Sequence, residues 1–328
     1  MLQLISNKIF SISNKKDFEV LAIKIFKYQS KNIPVYTEYL NELNIKPEQI
    51  KKIEQIPFLP VDFFKTHKIY NYNSKIDKTF TSSGTTGITH SKHYVTDISI
   101  YINSFNKTFN LFYGDIKDYC FLALLSSYLE REDSSLIYMV NNLIEQTGYK
   151  ESGFFLNDIE ELYNKLIILE KRNKKTILLG VSYALLNFAE KYKIDLFNTI
   201  VIETGGMKGK RKEITREELH KILTKSFGVS TIHSEYGMTE LLSQAYSKEN
   251  GIFHTPPWMK VLIRDIYDPF TFLDCGKSGG INIIDMANIN SCSFIETKDI
   301  GRLHKNETFE VLGRIDNSDI RGCNLLVG

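Results

Sequence analysis

Cysteine is scarce in this chain of 328 residues: the four, at positions 120, 275, 292 and 323, show no paired short spacing. Neither a zinc site nor a disulfide framework is indicated, and a reducing compartment is expected. No uninterrupted apolar run approaches the roughly 20 residues a membrane-spanning helix needs. The opening Met1-Leu2-Gln3-Leu4-Ile5-Ser6-Asn7-Lys8 lacks a basic segment followed by a long apolar stretch. The expectation is a soluble cytoplasmic protein with no membrane span. An excess of one charge is missing too. The 41 Lys and Arg stand against 39 Asp and Glu, a formal net charge of +2, which excludes a strongly basic nucleic-acid binder. There is no internal repeat and no low-complexity tract. What is present is core material, 42% hydrophobic with 18 Tyr and 21 Phe, and that excludes a disordered or collagen-like chain.

Proline is sparse, and it punctuates. An amphipathic helix over 15–29, after Ser13-Asn14, carries Phe18, Leu21, Ala22, Ile25 and Tyr28 at helical spacing. Pro34, Pro47, Pro57 and Pro60 then break the chain into short elements. From about residue 119 short apolar runs alternate with helical periods. The pattern predicts strands at 119–125, 176–181, 198–203 and 230–234, with helices near 134–146, 158–171, 182–192 and 215–226. Thr215 with Glu218 three residues on is a capping-box pair at the start of the last helix. Such alternation argues for an α/β core whose strand-end loops carry the chemistry. After Pro256-Pro257 the pattern turns to β, near 258–265, 280–285, 293–297 and 309–312. The expected organisation is one domain over 1–328, with a helical segment 1–56, an α/β core 57–255 and a β-rich subdomain 256–328.

The sharpest local feature is Thr81-Ser82-Ser83-Gly84-Thr85-Thr86-Gly87, with Lys92 beyond it. Two glycines three apart allow a tight turn with converging N–H groups, and the hydroxyls add donors, a combination suited to phosphate oxygens. It is not a Walker A loop, because Gly-Lys-Ser/Thr is absent. Ser/Thr/Gly clusters are also common loop material. Gly180-Val181-Ser182-Tyr183-Ala184, between an expected strand and helix, has the context of a nucleophile elbow. Ala stands where the second glycine belongs, however, and no convincing Asp-then-His pair follows. The basic run Lys208-Gly209-Lys210-Arg211-Lys212 reads as a solvated turn rather than a nucleic-acid contact.

Four segments, in order, resemble the signatures of the adenylate-forming superfamily (acyl-CoA synthetases, peptide-synthetase adenylation domains, luciferases). Thr81–Gly87 resembles its phosphate loop, and Tyr236-Gly237-Met238-Thr239-Glu240 its aromatic-Gly-x-Thr-Glu segment. Thr297-Lys298-Asp299-Ile300-Gly301 resembles its Thr-Gly-Asp segment, with Lys298 in place of Gly, and Gly313-Arg314-Ile315-Asp316 its Gly-Arg-x-Asp hinge. A narrower resemblance, to the acyl-protein synthetase family of the luminous-bacterial fatty acid reductase complex, rests on further segments. These are Leu59-Pro60-Val61-Asp62-Phe63-Phe64-Lys65, Ser127-Tyr128-Leu129-Glu130-Arg131, Glu203-Thr204-Gly205-Gly206-Met207-Lys208-Gly209 and Asp319-Ile320-Arg321-Gly322-Cys323-Asn324.

The resemblance implies an α/β fold, the large domain of an adenylate-forming enzyme, with layered sheets, helices and a small distorted β region. Only 12 residues follow Asp316, so the usual C-terminal domain with its catalytic lysine is expected to be lacking. It implies ATP and Mg²⁺ as cofactors and a fatty or related carboxylic acid as substrate. Thr81, Ser82, Ser83, Gly84, Thr85, Thr86 and Gly87 would hold the β- and γ-phosphates, with Lys92 as a supporting cation. Thr239 would contact the α-phosphate and Glu240 would bind Mg²⁺. Tyr236 would stack on adenine, Gly205, Gly206 and Met207 would line the base pocket, Asp299 would accept from the ribose hydroxyls, and Arg314 would reach ribose or phosphate. Ser182 and His233 would lie near the acyl pocket, although His233 equally suits a core position. Cys323 would receive the acyl group as a thioester and pass it to an acyl reductase or acyl-carrier partner. A small buried apolar cysteine is the other fate open to Cys323, and Cys120 fits that fate well. Taken singly, Tyr236, Asp299 and Arg314 also suit a packed aromatic, a turn cap and a partner for Asp316. The alternatives are an acyl-CoA or acyl-carrier-protein ligase of the same superfamily, a thioesterase-like hydrolase and a non-catalytic scaffold.

Overall fold

Asn14 caps the first helix by accepting from the Asp17 amide, and a buried stripe from Phe18 to Phe26 anchors α1 (Lys15–Asn32). The next helix, α2 (Pro34–Glu42), starts on a proline, whose missing N–H leaves no helical bond unmade there. The remaining elements follow in chain order as β1 (Leu59–Pro60), α3 (Phe63–Thr66), β2 (Lys78–Thr81), β3 (Lys92–Val95), α4 (Ile98–Tyr113), β4 (Cys120–Leu124), α5 (Ser135–Thr147) and β5 (Gly153–Phe154). Then come α6 (Ile159–Lys171), β6 (Thr176–Val181), α7 (Ser182–Lys191), β7 (Thr199–Thr204), α8 (Arg216–Phe227), β8 (His233–Tyr236), β9 (Ala245–Ser247) and β10 (Ile252–His254). Four strands close the series: β11 (Met259–Arg264), β12 (Ser278–Asp285), β13 (Phe294–Leu303) and β14 (Phe309–Arg314). This computed structural model describes residues 8–82, 89–126, 131–206 and 214–315.

The chain divides into two units, Lys75–Pro256 and the pairing of Met1–Ser74 with Pro257–Gly328. In the first, the strands run in the order β10-β9-β8-β7-β6-β4-β5. β5, β4, β6, β7 and β8 are parallel, and β9 and β10 continue antiparallel. Every residue of β4 and β6 is buried, the condition of parallel strands covered on both faces, and their unbroken apolar runs follow from it. β5 and β6 flank β4 on opposite sides, so the strand order reverses at β4, and its C-terminal edge is where ligands bind in folds of this kind. β2 and β3 form a separate antiparallel hairpin. Helix α8 begins with the expected capping box: Thr215 Oγ1 accepts from the Glu218 amide while Glu218 accepts from the Thr215 amide.

The other unit is an antiparallel sheet, β11-β12-β13-β14, with β1 laid parallel along β13 in the register Leu59↔Ile295. Gln29 on α1, fully buried, donates to the carbonyls of Asn288 and Ile289 at 2.9 and 3.0 Å and accepts from the Ser293 amide at 3.0 Å. No helix among the described residues is long and apolar enough to cross a membrane.

The structure departs from the sequence expectations at definite places. β8 lies at His233–Tyr236 rather than 230–234, so Tyr236 ends a strand. β13 extends to Leu303, which puts Lys298 and Asp299 within a strand instead of a turn. Helix α4 and the β2–β3 hairpin carry no sequence expectation at all.

Candidate active site

Parallel strands send their C-terminal ends to one edge, and the motif loops of the Lys75–Pro256 unit gather there. β6 ends at Val181 and Ser182 opens α7; β7 ends at Thr204 before Gly205-Gly206; β8 ends at Tyr236 before Gly237-Met238-Thr239-Glu240. Gly205 has φ of 65°, a left-handed conformation that favours glycine. Gly237 passes close to a neighbour, since a Cβ there would stand 2.5 Å from Glu235 Oε1.

The hairpin stem is closed by backbone pairing and by the Ser82 hydroxyl. Thr81 pairs with Lys92 across the strands, the Ser82 amide donates to the Ser91 carbonyl at 3.0 Å, and the Ser91 amide donates to Ser82 Oγ at 2.9 Å. The Thr81 amide donates to the Asp133 carbonyl at 2.8 Å, bringing in the segment after β4. Lys92 is exposed. Ser83, Gly84, Thr85, Thr86 and Gly87 lie outside the described residues, as do Met207 and Cys323.

His93, on β3, is fully buried, and its Nδ1 lies 2.9 Å from the Thr239 carbonyl oxygen. A carbonyl only accepts, so Nδ1 carries the proton. Burial lowers the imidazole to about 4, against which the bond to Thr239 works in the opposite direction. The ring is therefore neutral at pH 7. Glu240 is 5% exposed. Tyr236 is buried, its ring edge-on to Phe253 at 5.9 Å, and the Arg216 guanidinium lies over that same Phe253 ring at 5.1 Å.

Beneath Gly205 sits a carboxylate hub. Glu203, 3% exposed, accepts from Ser182 Oγ at 3.0 Å and from Arg216 Nε at 3.2 Å, with His220 Nε2 at 3.6 Å. Burial alone would raise its carboxyl, but His220, Arg216 and Ser234 together hold it below the usual carboxylate range. Ser182 Oγ also lies 2.9 Å from the Gly205 carbonyl, and the residue is 1% exposed. Its hydroxyl is engaged inside the protein and not presented as a nucleophile. Glu235 accepts from Thr204 Oγ1. His233 stacks on Tyr113, whose hydroxyl lies 3.3 Å from His233 Nδ1, and burial, Lys248 and His220 lower its imidazole to about 4.

In the other unit, Asp299 and Arg314 face each other across β13 and β14. The Asp299 amide donates to Thr297 Oγ1 at 3.1 Å, and that hydroxyl donates to the Ile281 carbonyl at 2.8 Å. Lys298, the departure from the Thr-Gly-Asp pattern, places Nζ 2.6 Å from Asp62 Oδ2, and Lys65 Nζ is 2.8 Å from Asp62 Oδ1. Burial pushes the Asp62 carboxyl up, and the two lysines outweigh it and hold it below its ordinary value. Two of the other cysteines are enclosed: burial raises the Cys120 thiol, and it raises Cys292 to about 12.

Thr81, Ser82, Lys92, Gly205, Gly206, Tyr236, Thr239 and Glu240 all lie in the Lys75–Pro256 unit, and Asp299 and Arg314 lie in the other. Sequence reasoning missed His93 and the role of Glu203. The available signal for His93 was alternation, since Ser91, His93 and Val95 are the inward positions of a short strand.

No family model and no curated protein matches the chain. Solved structures share its fold. ATP-bound MatB from Rhodopseudomonas palustris aligns with a TM-score of 0.55 at 16% identity, over 73% of this chain and 48% of its own. 2-Hydroxyisobutyryl-CoA ligase in the postadenylation state, in complex with R3-HIB-AMP, aligns with a TM-score of 0.66 at 11% identity, over 94% and 70%. The amide bond synthetase McbA from Marinactinospora thermotolerans aligns with a TM-score of 0.51 at 16% identity, over 72% and 48%. The chain thus spans about half the length of the MatB structure. The architecture is that of the large domain of adenylate-forming enzymes.

Proposed function

We propose that this chain activates a carboxylic acid with ATP, forming an acyl-adenylate and releasing pyrophosphate. One arrangement carries the reading: the buried Glu240 and its neighbour Thr239, at the C-terminal edge of the parallel sheet, are tied through His93 to the hairpin that bears the glycine-threonine loop. A substrate carboxylate oxygen attacks the α-phosphorus, the bond to the bridging oxygen of the β-phosphate breaks, and pyrophosphate departs with the electron pair. Thr81–Gly87 and Lys92 take the phosphates, and Thr239 takes the α-phosphate. Gly205, Gly206 and Met207 are assigned to the base with Tyr236. Asp299 and Arg314 are proposed nucleotide contacts on the strength of their motifs.

Among the described residues no group of three or more His, Cys, Asp or Glu gathers to hold a metal. Glu240, buried at this edge, would hold a Mg²⁺ as its one protein carboxylate, and the ion would supply neutralisation of phosphate charge. The engaged, buried Ser182 speaks against the hydrolase alternative. Transfer of the acyl group to Cys323, and from it to an acyl reductase or acyl carrier, is the finer proposal, resting on motif resemblance.

The test is ATP–pyrophosphate exchange across a panel of carboxylic acids of increasing length, followed by mass spectrometry of the protein. Acid-dependent exchange, with an acyl mass on the Cys323 peptide, is expected. Folded protein that exchanges with no acid overturns the reading; exchange with the acyl mass elsewhere overturns only the role of Cys323.

A further inference from the structure

His93 has no place in the motifs, yet it joins two of them across 146 positions of sequence. The oxygen it holds belongs to the planar peptide unit linking Thr239 to Glu240. Fixing that plane sets ψ of Thr239 and φ of Glu240, and so the direction in which the Glu240 side chain leaves the backbone. The backbone of His93 is constrained as well. His93 pairs with Phe80 across the hairpin, one position from the Thr81–Lys92 pair, and the stem beyond is locked by the Ser82–Ser91 bonds. A fully buried ring with two side-chain torsions is a stiff spacer.

We infer that His93 is a positioning residue that sets the Glu240 carboxylate at a defined distance from the stem of the glycine-threonine loop. This rests on the proposed role of Glu240 as the metal-binding carboxylate. It acts as a hydrogen-bond donor on a backbone carbonyl. Residues standing behind a metal ligand in this way change metal affinity or activity by about 10- to 100-fold when removed.

The geometry makes the substitutions discriminating. An Asn side-chain amide places its nitrogen near the position of Nδ1, whereas a Gln amide reaches towards that of Nε2. His93→Asn should therefore keep the bond, and His93→Leu and His93→Gln should lose it. The first readout needs no metal, nucleotide or activity: amide hydrogen exchange of residues 238–242, where the Leu241 amide bonds the Met238 carbonyl. Exchange there should quicken about tenfold in His93→Leu and His93→Gln and stay near wild type in His93→Asn, with the amides of α8 as an unaffected internal reference. The second readout is the Mg²⁺ concentration for half-maximal pyrophosphate exchange, expected to rise about tenfold in the same two variants. If His93→Leu does not fold, the Asn and Gln variants, alike in polarity, carry the comparison. Equal behaviour of Asn and Gln in both readouts overturns the inference and reduces His93 to core filling. A selective change in hydrogen exchange with no pyrophosphate exchange even in the wild type upholds the pinning and overturns the adenylation reading instead.

Discussion

In the parallel-sheet unit, polar groups at the strand ends are held by buried side chains that reach across long stretches of sequence: Glu203 to Ser182 and Arg216, and His93 to Thr239. In the antiparallel unit, Asp299 and Arg314 are placed by strand register, and the nearby Lys298–Asp62 pair is part-exposed, at 24% and 45%. A parallel sheet covered on both faces leaves its strand-end polar groups in a low-dielectric setting, where each needs a specific partner. An antiparallel sheet with one wetter face can position residues through the backbone ladder and leave their side chains to water. The lesson is energetic. Losses at the buried strand-end groups should be large and local, and losses at the part-exposed Lys298–Asp62 pair small; the fully buried Gln29 of the second unit belongs with the former.

The largest expected effect tests the candidate chemistry: Glu240→Ala should lower acid-dependent pyrophosphate exchange by at least about a thousandfold. Next, Arg216→Ala leaves the buried Glu203 carboxylate short of a partner and should destabilise the protein by about 3 kcal/mol, read by urea unfolding. A loss below about 1 kcal/mol would remove the distinction between the buried and the part-exposed sites. Third is the pH dependence of stability. His93 and His233 are lowered from 6.5 to about 4 in the folded protein. The unfolded chain therefore binds their protons first, so stability is full above about pH 7 and falls as the pH drops from 6.5 towards 4. For His93 the loss at pH 5 is about 2 kcal/mol, measured by urea midpoints at pH 7 and pH 5, and His93→Asn should flatten the slope. The smallest effect belongs to the antiparallel unit: Asp62→Asn should cost less than about 1 kcal/mol by the same unfolding measurement, because its ion pairs face solvent. A larger cost would show that Lys298 is anchored more tightly than its exposure indicates.

Legibility differed by element for physical reasons. The capping box of Thr215 and Glu218 could be read directly because it is local chemistry, and β4 and β6 because strands buried on both faces must be apolar throughout. Helix α4 carries no sequence expectation, although Asp97 caps it and Ile100, Tyr101, Phe105 and Phe109 are buried along one face. It carries Ser99, Asn103, Ser104, Asn106, Thr108 and Asn110, poor helix formers, and is held instead by buried contacts such as Ser104 with Ser243 at 3.1 Å. The four-residue strands of the hairpin are too short for a period to register. In the candidate site, the Tyr236–Glu240 and Gly205–Gly206 segments could be read as motifs. The carboxylate hub could not, because its members come from three separate stretches of chain.

By itself the amino-acid order determined the strand–helix alternation, the turn to β after Pro256-Pro257 and the loops in which the chemistry is to be sought, since periodicity, capping and glycine placement act between near neighbours. Only the tertiary structure decided that His93 meets Thr239, that Ser182 is enclosed on Glu203 and that Asp299 stands opposite Arg314 within a strand. Those pairings depend on burial, which removes water as a competitor and makes distant partners obligatory, and on strand register, which no local stretch of sequence contains.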